Sequence, residues 1–203
     1  MRLHNYAGSA NGYKAELLLA LLARRFERVE VSIFEGASRT PAFLAMNPAG
    51  RVPVLEREDG TFLPESNAIL WALARGTDFA PHDEDRALAW LFFEQSEIEP
   101  VIGSARFWIL TGRDRDRKDE LARKLTWSAR SLAILDGELA KRRWLVGDRV
   151  SVADLALYAY THVAPDAGLA LPPHVAAWCA RIEALPGYVS GPAPYDPSAL
   201  VAL

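Results

Sequence analysis

The strongest constraint on this chain is a change of periodicity near Gly76. Before it, short period-two runs alternate with helical stripes; beyond about Asp83, every regular stretch has helical spacing. Such a chain is expected to fold as a small mixed α/β unit followed by an all-helical one. Arg2 to Tyr6 reads as a first strand. Lys14 to Phe26 carries Leu17, Leu18, Leu21 and Leu22 as a helical stripe, which Leu19 widens, so this helix is expected to be buried on more than one side. Val29, Val31 and Ile33 alternate with Arg28, Glu30 and Ser32, which is strand periodicity. Thr40 to Met46 reads as a short helix, with Thr40 as N-cap and Pro41 at the first helical position. Val52 to Glu56 is a third strand, and Asp59-Gly60 is a hairpin signal leading into a fourth, Thr61 to Leu63. Ser66 to Arg75 returns to helical spacing through Ile69, Leu70 and Leu73.

In the second half, Asp85 to Thr111 predicts a long helix with a kink at Pro100. Asp116 to Lys141 repeats leucine at helical spacing. Ser151-Val-Ala-Asp154 is a capping box, flanked by Val150 and Leu155 as a hydrophobic staple, and its helix should end before Pro165. Pro173 opens a last helix with Val175, Trp178, Ile182 and Leu185 on one face. The tail from Ser190 to Leu203 is expected to be irregular. The linker falls at Gly76 to His82, dividing the chain into domains of residues 1–76 and 83–203.

Composition removes several classes of function. The net charge is −3 and no block of Lys and Arg stands out, which argues against a nucleic-acid partner. The longest apolar stretch, Leu17 to Ala23, is too short to span a bilayer, and the first residues lack the apolar core of a signal peptide. The single cysteine, Cys179, excludes an intrachain disulfide, so a reducing, cytoplasmic setting is expected.

Four segments carry candidate chemistry. Tyr6-Ala-Gly-Ser9-Ala-Asn11 is a strand-to-helix turn, where unpaired N–H groups and partial positive charge collect. A hydroxyl there either caps the helix or donates to an anion such as a thiolate. Asn47-Pro-Ala-Gly-Arg51-Val52-Pro53 puts a proline where a strand begins; a cis bond would turn the Val52 backbone outward to pair with an extended peptide, whereas a trans bond would make it an ordinary strand start. Glu65-Ser66 enters a helix and offers a carboxylate for an α-amino group and donors for an α-carboxylate, or else one more N-cap. Glu94 to Trp108 gathers aromatics around Arg106, as core packing with one solvated Arg or as the wall of an apolar site.

Taken in order, these segments resemble the cytosolic glutathione S-transferases, as do Trp144-Leu-Val-Gly-Asp148 and Ser151-Val-Ala-Asp154-Leu further on. The strand and helix order of the first half is that of the thioredoxin-like fold. The resemblance implies a thioredoxin-like N-terminal domain that binds glutathione and a helical-bundle C-terminal domain that supplies the site for a small apolar electrophile. It implies Ser9 as the thiol-activating serine, with Tyr6 and Asn11 as rival donors. Arg51 falls beside the glycyl carboxylate of glutathione, Val52 against its cysteinyl unit, Pro53 in a cis bond, and Glu65 with Ser66 at the γ-glutamyl end. Tyr6, Asn11, Arg106 and Trp108 are candidates for the second-substrate site. Asp154 matches a folding residue. Gly12 departs from the pattern, standing where many relatives carry Ser or Cys. The implied protein is a homodimer involved in detoxification, with glutathione as co-substrate, no other cofactor and no metal. A glutathione-dependent peroxidase or reductase, and a binding protein without turnover, are the competing readings; Cys179 lies far along the chain from the active turn that a protein-bound mixed disulfide needs.

Overall fold

The computed structural model describes residues 1–196. β1 (Arg2–Asn5) leads to α1 (Ala10–Leu21), β2 (Glu27–Glu30), α2 (Pro41–Met46), β3 (Val54–Glu56), β4 (Phe62–Pro64) and α3 (Ser66–Ala74). The four strands form one sheet in the order β2-β1-β3-β4, with β1 parallel to β2 and the other pairs antiparallel. Leu3 pairs with Leu55, and Leu55 with Leu63. Among the described residues, no strand follows β4. α4 (Glu84–Phe93) continues through a π-helical stretch, Glu94–Gly103, into α5 (Ser104–Thr111); α6 (Lys118–Leu139), α7 (Val152–Thr161) and α8 (Pro173–Glu183) complete the helical half. This is the expected thioredoxin-like unit followed by a helical one.

Local chemistry sets most boundaries. Thr40 accepts from the Phe43 amide and Pro41 opens α2. Asp59 accepts from the Thr61 amide at 2.9 Å in the β3–β4 turn, where Gly60 has φ +79. β3 starts at Val54 rather than Val52, because Pro53 has no N–H to give to the ladder. Helix α1 begins at Ala10, just after its cap Ser9 and four residues ahead of the expected start at Lys14, and ends before Ala23, whose φ is +49. The kink expected at Pro100 takes the form of a ten-residue widening to π-helical bonding around that proline.

The core is continuous between the halves. Leu17, Leu18 and Leu19 of α1 are fully buried, as are Leu155 and Leu157 of α7, and the two helices pack together. At the foot of α7, the buried Asp154 carboxylate accepts from the Ser151 amide (3.0 Å), the Leu145 amide (3.0 Å) and the Trp178 indole (3.0 Å). The capping box therefore also ties α8 and the 144–150 loop to α7. The tail is irregular through residue 196, yet it runs back over the β1–α1 turn, where Ala193 donates to the Ala7 carbonyl at 3.0 Å. The part of the tail beyond 196 lies outside the described residues.

Candidate functional site

The site is built on the β1–α1 turn. Ser9 is the N-cap of α1, and its hydroxyl accepts from the Gly12 amide at 3.2 Å. Capping uses an oxygen lone pair and leaves the hydroxyl proton for another acceptor. Ser9 lines a cavity of about 220 Å³ with Tyr6, Ile33, Phe107, Tyr160 and Tyr195, and Glu99 closes one side. Gly12 is required by its neighbour: a Cβ there would lie 1.7 Å from Asn5 Oδ1. The space that a second hydroxyl or thiol would need in this turn is taken by the Asn5 amide.

Beside this cavity runs a narrow groove lined by Asn11, Arg51, Val52, Pro53, Glu65 and Ser66, again with Glu99. The Val52–Pro53 bond is cis. The loop that carries Arg51 is held by Asn47, whose amide donates to the Arg51 carbonyl at 2.8 Å, and by Arg39, which donates to the Ala49 carbonyl at 3.1 Å. Glu65, just ahead of α3, has φ +70. A non-glycine residue held there costs about 1–3 kcal/mol, and such strain gathers at ligand sites. The side chain is exposed at the groove, and no side chain caps the start of α3.

Behind the groove lies a buried polar network. Ser66 donates to Asn11 Oδ1 at 3.0 Å and accepts from Lys14 Nζ at 3.2 Å. Lys14 also pairs with Glu94 at 2.8 Å and donates to Asn67 Oδ1; neither charged side chain is exposed at all. Asn67 and Gln95 both donate to Glu94 Oε2, at 2.9 and 2.8 Å. Burial pushes the Lys14 ammonium below the usual lysine range, and Glu94 opposes the shift.

The structure lines the groove with Arg51, Val52, Pro53, Glu65 and Ser66, sets Ser9 on the neighbouring cavity, and sorts the other candidates differently. Asn11 belongs to the groove and the Ser66 network rather than to the apolar cavity. Tyr6 lines the cavity, but its oxygen accepts from the Asp196 amide at 2.8 Å. Arg106 is buried rather than solvated: it pairs with Asp166 at 2.8 Å and lies 5.1 Å from the Tyr195 ring, so it reaches the cavity only through Tyr195. Trp108 is not among the cavity's lining residues and sits against Arg117 and Lys124. On α5 it is Phe107, four residues after Gly103, that shares the cavity face.

Sequence reasoning missed Lys14, Glu94, Glu99, Tyr160 and Tyr195. Lys14 carried a signal, as a charge inside a helix read as buried on several sides; Tyr195 carried none. Cys179 is buried on α8, away from both cavity and groove, and burial pushes its thiol up to about 12. Among the described residues, no group of three or more His, Cys, Asp or Glu is placed to hold a metal, and no helix is long and apolar enough to cross a membrane.

The chain is similar to known proteins along both of its halves. Residues 8–75 match the glutathione S-transferase N-terminal domain, and residues 89–186 match the C-terminal domain. The crystal structure of a glutathione S-transferase from Pseudomonas fluorescens superposes with a TM-score of 0.91 at 42% identity, covering 93% of this chain and 97% of that one. Yeast Ure2p in complex with glutathione superposes with a TM-score of 0.83 at 26% identity, covering 92% and 90%. Elongation factor 1-gamma of Artemia salina is 30% identical over 173 residues, covering 82% of this chain but only 40% of that longer protein.

Proposed function

Because the chain belongs to the glutathione S-transferase family, we propose that it conjugates the glutathione thiolate to small apolar electrophiles, with Ser9 as the thiolate-stabilising donor. The observation that carries this reading is the position of the Ser9 hydroxyl. It is already satisfied as an acceptor by the Gly12 amide, at a helix N-terminus, on the wall of the aromatic cavity. A free cysteine thiol ionises near 8.5, so lowering it by about two units needs roughly 2.7 kcal/mol. A hydrogen bond to a charged group contributes about 1.5–3 kcal/mol, and the helix N-terminus adds about 0.3–1 kcal/mol. These suffice without a general base to ionise the thiol.

Residues 1–76 form the glutathione domain in this reading. Glu65 and Ser66 take the γ-glutamyl end, the Val52 backbone takes the cysteinyl unit beside cis-Pro53, and Arg51 takes the glycyl carboxylate. Residues 83–203 supply the electrophile site, through Phe107, Tyr160 and Tyr195. The protein acts as a cytoplasmic homodimer in detoxification. Support for the dimer comes from an apolar cavity of about 450 Å³ between α3 and α4, lined by Leu63, Trp71, Leu88 and Phe92, with Phe92 70% exposed beside it. A knob and a hollow on one patch are what a two-fold interface needs. Glu65 lines both this cavity and the groove.

A second reading, glutathione binding without turnover, is supported by the likeness to Ure2p, whose structure holds glutathione, and to elongation factor 1-gamma, whose name is not that of a transferase. Peroxidase chemistry through bound glutathione is a third. Ser9→Ala and Ser9→Thr, assayed for retention on immobilised glutathione, conjugation, peroxide reduction and thiolate absorbance against pH, separate them. Lost conjugation with retained binding in Ser9→Ala, an upward shift of the bound thiol's pKa, and rescue by Thr support the transferase. Binding by wild type without conjugation or peroxide reduction supports the binding protein, and peroxide reduction without conjugation supports the peroxidase. Unchanged turnover and thiol ionisation in Ser9→Ala remove Ser9 from the mechanism.

A further inference from the structure

The groove and the aromatic cavity have one lining residue in common, Glu99. It projects from the π-helical stretch at the point where the two spaces meet. Its carboxyl is half-buried and, among the described residues, has neither a hydrogen bond nor a salt bridge. A half-buried carboxyl without a protein partner, lining two spaces at once, is placed to meet what occupies them. Its neighbour Glu94 shows the contrast, being held by Lys14, Asn67 and Gln95.

We propose that Glu99 is a second catalytic residue, a proton carrier that suits this site to α,β-unsaturated carbonyl compounds. The inference rests on the transferase reading and names its substrate class. Electrophiles of that class add glutathione across a double bond instead of exchanging a leaving group for it. The thiolate attacks the β-carbon, the C–S bond forms, and the π electrons of the C=C bond move toward the carbonyl to give an enolate. The Glu99 carboxylic acid then gives its proton to the α-carbon and becomes a carboxylate. As the next glutathione binds and ionises beside Ser9, its thiol proton passes to water, water returns a proton to the Glu99 carboxylate, and the cycle closes with every atom of glutathione in the product. Displacement of an aryl halide needs no such donor: chloride leaves with its electrons and the thiol proton passes to water.

The rest of the lining leaves this task to Glu99. None of the four histidines lines either space. The Tyr160 phenol is pushed far up by burial and by Glu99 itself, so it does not give up and regain a proton near neutral pH. The Ser9 hydroxyl is assigned to the sulfur. Charged groups face Glu99 from several elements: Glu94 on its own helix, Lys14 on α1, Arg51 before β3 and Lys124 on α6. Burial first, then Glu94, pushes the Glu99 carboxyl above the ordinary glutamate range, while Lys14, Arg51 and Lys124 pull it back. A carboxyl raised in this way keeps its proton closer to neutral pH and still releases it, as a proton carrier requires.

The test uses the full chain as wild type, Glu99→Gln and Glu99→Asp. Its two probes are benzylideneacetone, which adds glutathione, and chlorodinitrobenzene, which exchanges chloride. Positioned acids contribute about 10²–10⁴-fold. Glu99→Gln is therefore expected to lower kcat for the ketone at least about 100-fold and for the aryl chloride less than about threefold, with partial recovery in Glu99→Asp. Wild-type kcat for the ketone should fall as pH rises through one ionisation that the aryl chloride does not show, which keeps the proposal testable even if Glu99→Gln failed to fold. Equal losses on both probes, no loss on the ketone, or a wild type that turns over the aryl chloride but not the ketone would overturn the Glu99 role and leave the transferase standing. A wild type that binds glutathione and turns over neither probe would overturn both.

Discussion

Replacing Lys14 with Met should unfold this protein far more readily than the size of the change implies. Lys14 Nζ has three polar partners, Glu94 at 2.8 Å and Ser66 and Asn67 at 3.2 Å, and both charged side chains have 0% exposure. Met fills a similar volume but leaves the Glu94 carboxylate buried, with only the Asn67 and Gln95 amides on one oxygen and no partner on the other. Breaking a buried pair from one side costs about 3–5 kcal/mol, because the remaining charge is uncompensated. For a chain of this length, 1 kcal/mol moves the melting midpoint by about 2–4 °C, so a fall of about 6–20 °C is expected. Lys14→Met with Glu94→Leu removes both charges and should return to within about 1 kcal/mol of wild type. Calorimetry and urea unfolding of wild type, both single variants and the double variant provide the cycle. Glutathione affinity should fall in Lys14→Met, since Ser66 loses the ammonium beside it. A loss below about 1 kcal/mol in Lys14→Met, or a double variant no better than the single, would refute the reasoning.

Gly12→Ala should destabilise the chain by about 1–3 kcal/mol through the clash with Asn5, and Asn5→Ala should restore much of it; equal urea midpoints for wild type and Gly12→Ala would contradict the packing argument. Asp154→Ala strands the Ser151, Leu145 and Trp178 donors, each worth about 1–3 kcal/mol when buried, and should lower unfolding stability by at least about 3 kcal/mol; a loss under about 1 kcal/mol would count against its tying role. Phe92→Ser should convert the proposed dimer to a monomer by light scattering while leaving the fold intact by circular dichroism; a wild type already monomeric would refute the dimer, and an unchanged dimer mass would move the interface elsewhere. The His4 hydrogen bond, helped by Arg2, holds the Glu56 carboxyl below its ordinary range. Its contribution is present above the ordinary glutamate value and is lost as pH falls through the lowered one, so Glu56→Gln should flatten the acid limb of a stability–pH curve, and an unchanged limb would show the bond to be idle.

Elements whose cause lies within one turn of chain were legible in the sequence. Thr40 with Pro41, the Asp59-Gly60 hairpin and the Ser151–Asp154 box act on backbone groups two or three residues away, so their residue types alone announce the structure. The change of periodicity near Gly76 likewise separates the sheet-bearing half from the helical half. The Ser9 turn, the Val52-Pro53 step and Glu65-Ser66 were legible as separate pieces, and the family pattern joined them.

Contacts that depend on how elements pack were not legible. Whether Phe107 or Trp108 faces the cavity is decided by how α5 is rotated against its neighbours, and neighbouring positions on a helix differ by about 100°. Arg106 reads as solvated until Asp166 and Tyr195, 60 and 89 residues later, close over it. Lys14 and Glu94 become partners only because α1 packs beside the helical half, and Glu99 reaches both spaces only where the two halves meet. The sequence by itself determined the order of helix, strand and cap, because those preferences arise from each residue's own backbone and nearest neighbours, although the strand expected to reach Ile33 ends at Glu30. Tertiary structure decided which charges are buried, which aromatics wall the cavity and which carboxyl stands at its junction with the groove, because each of those depends on side chains brought together from distant parts of the chain.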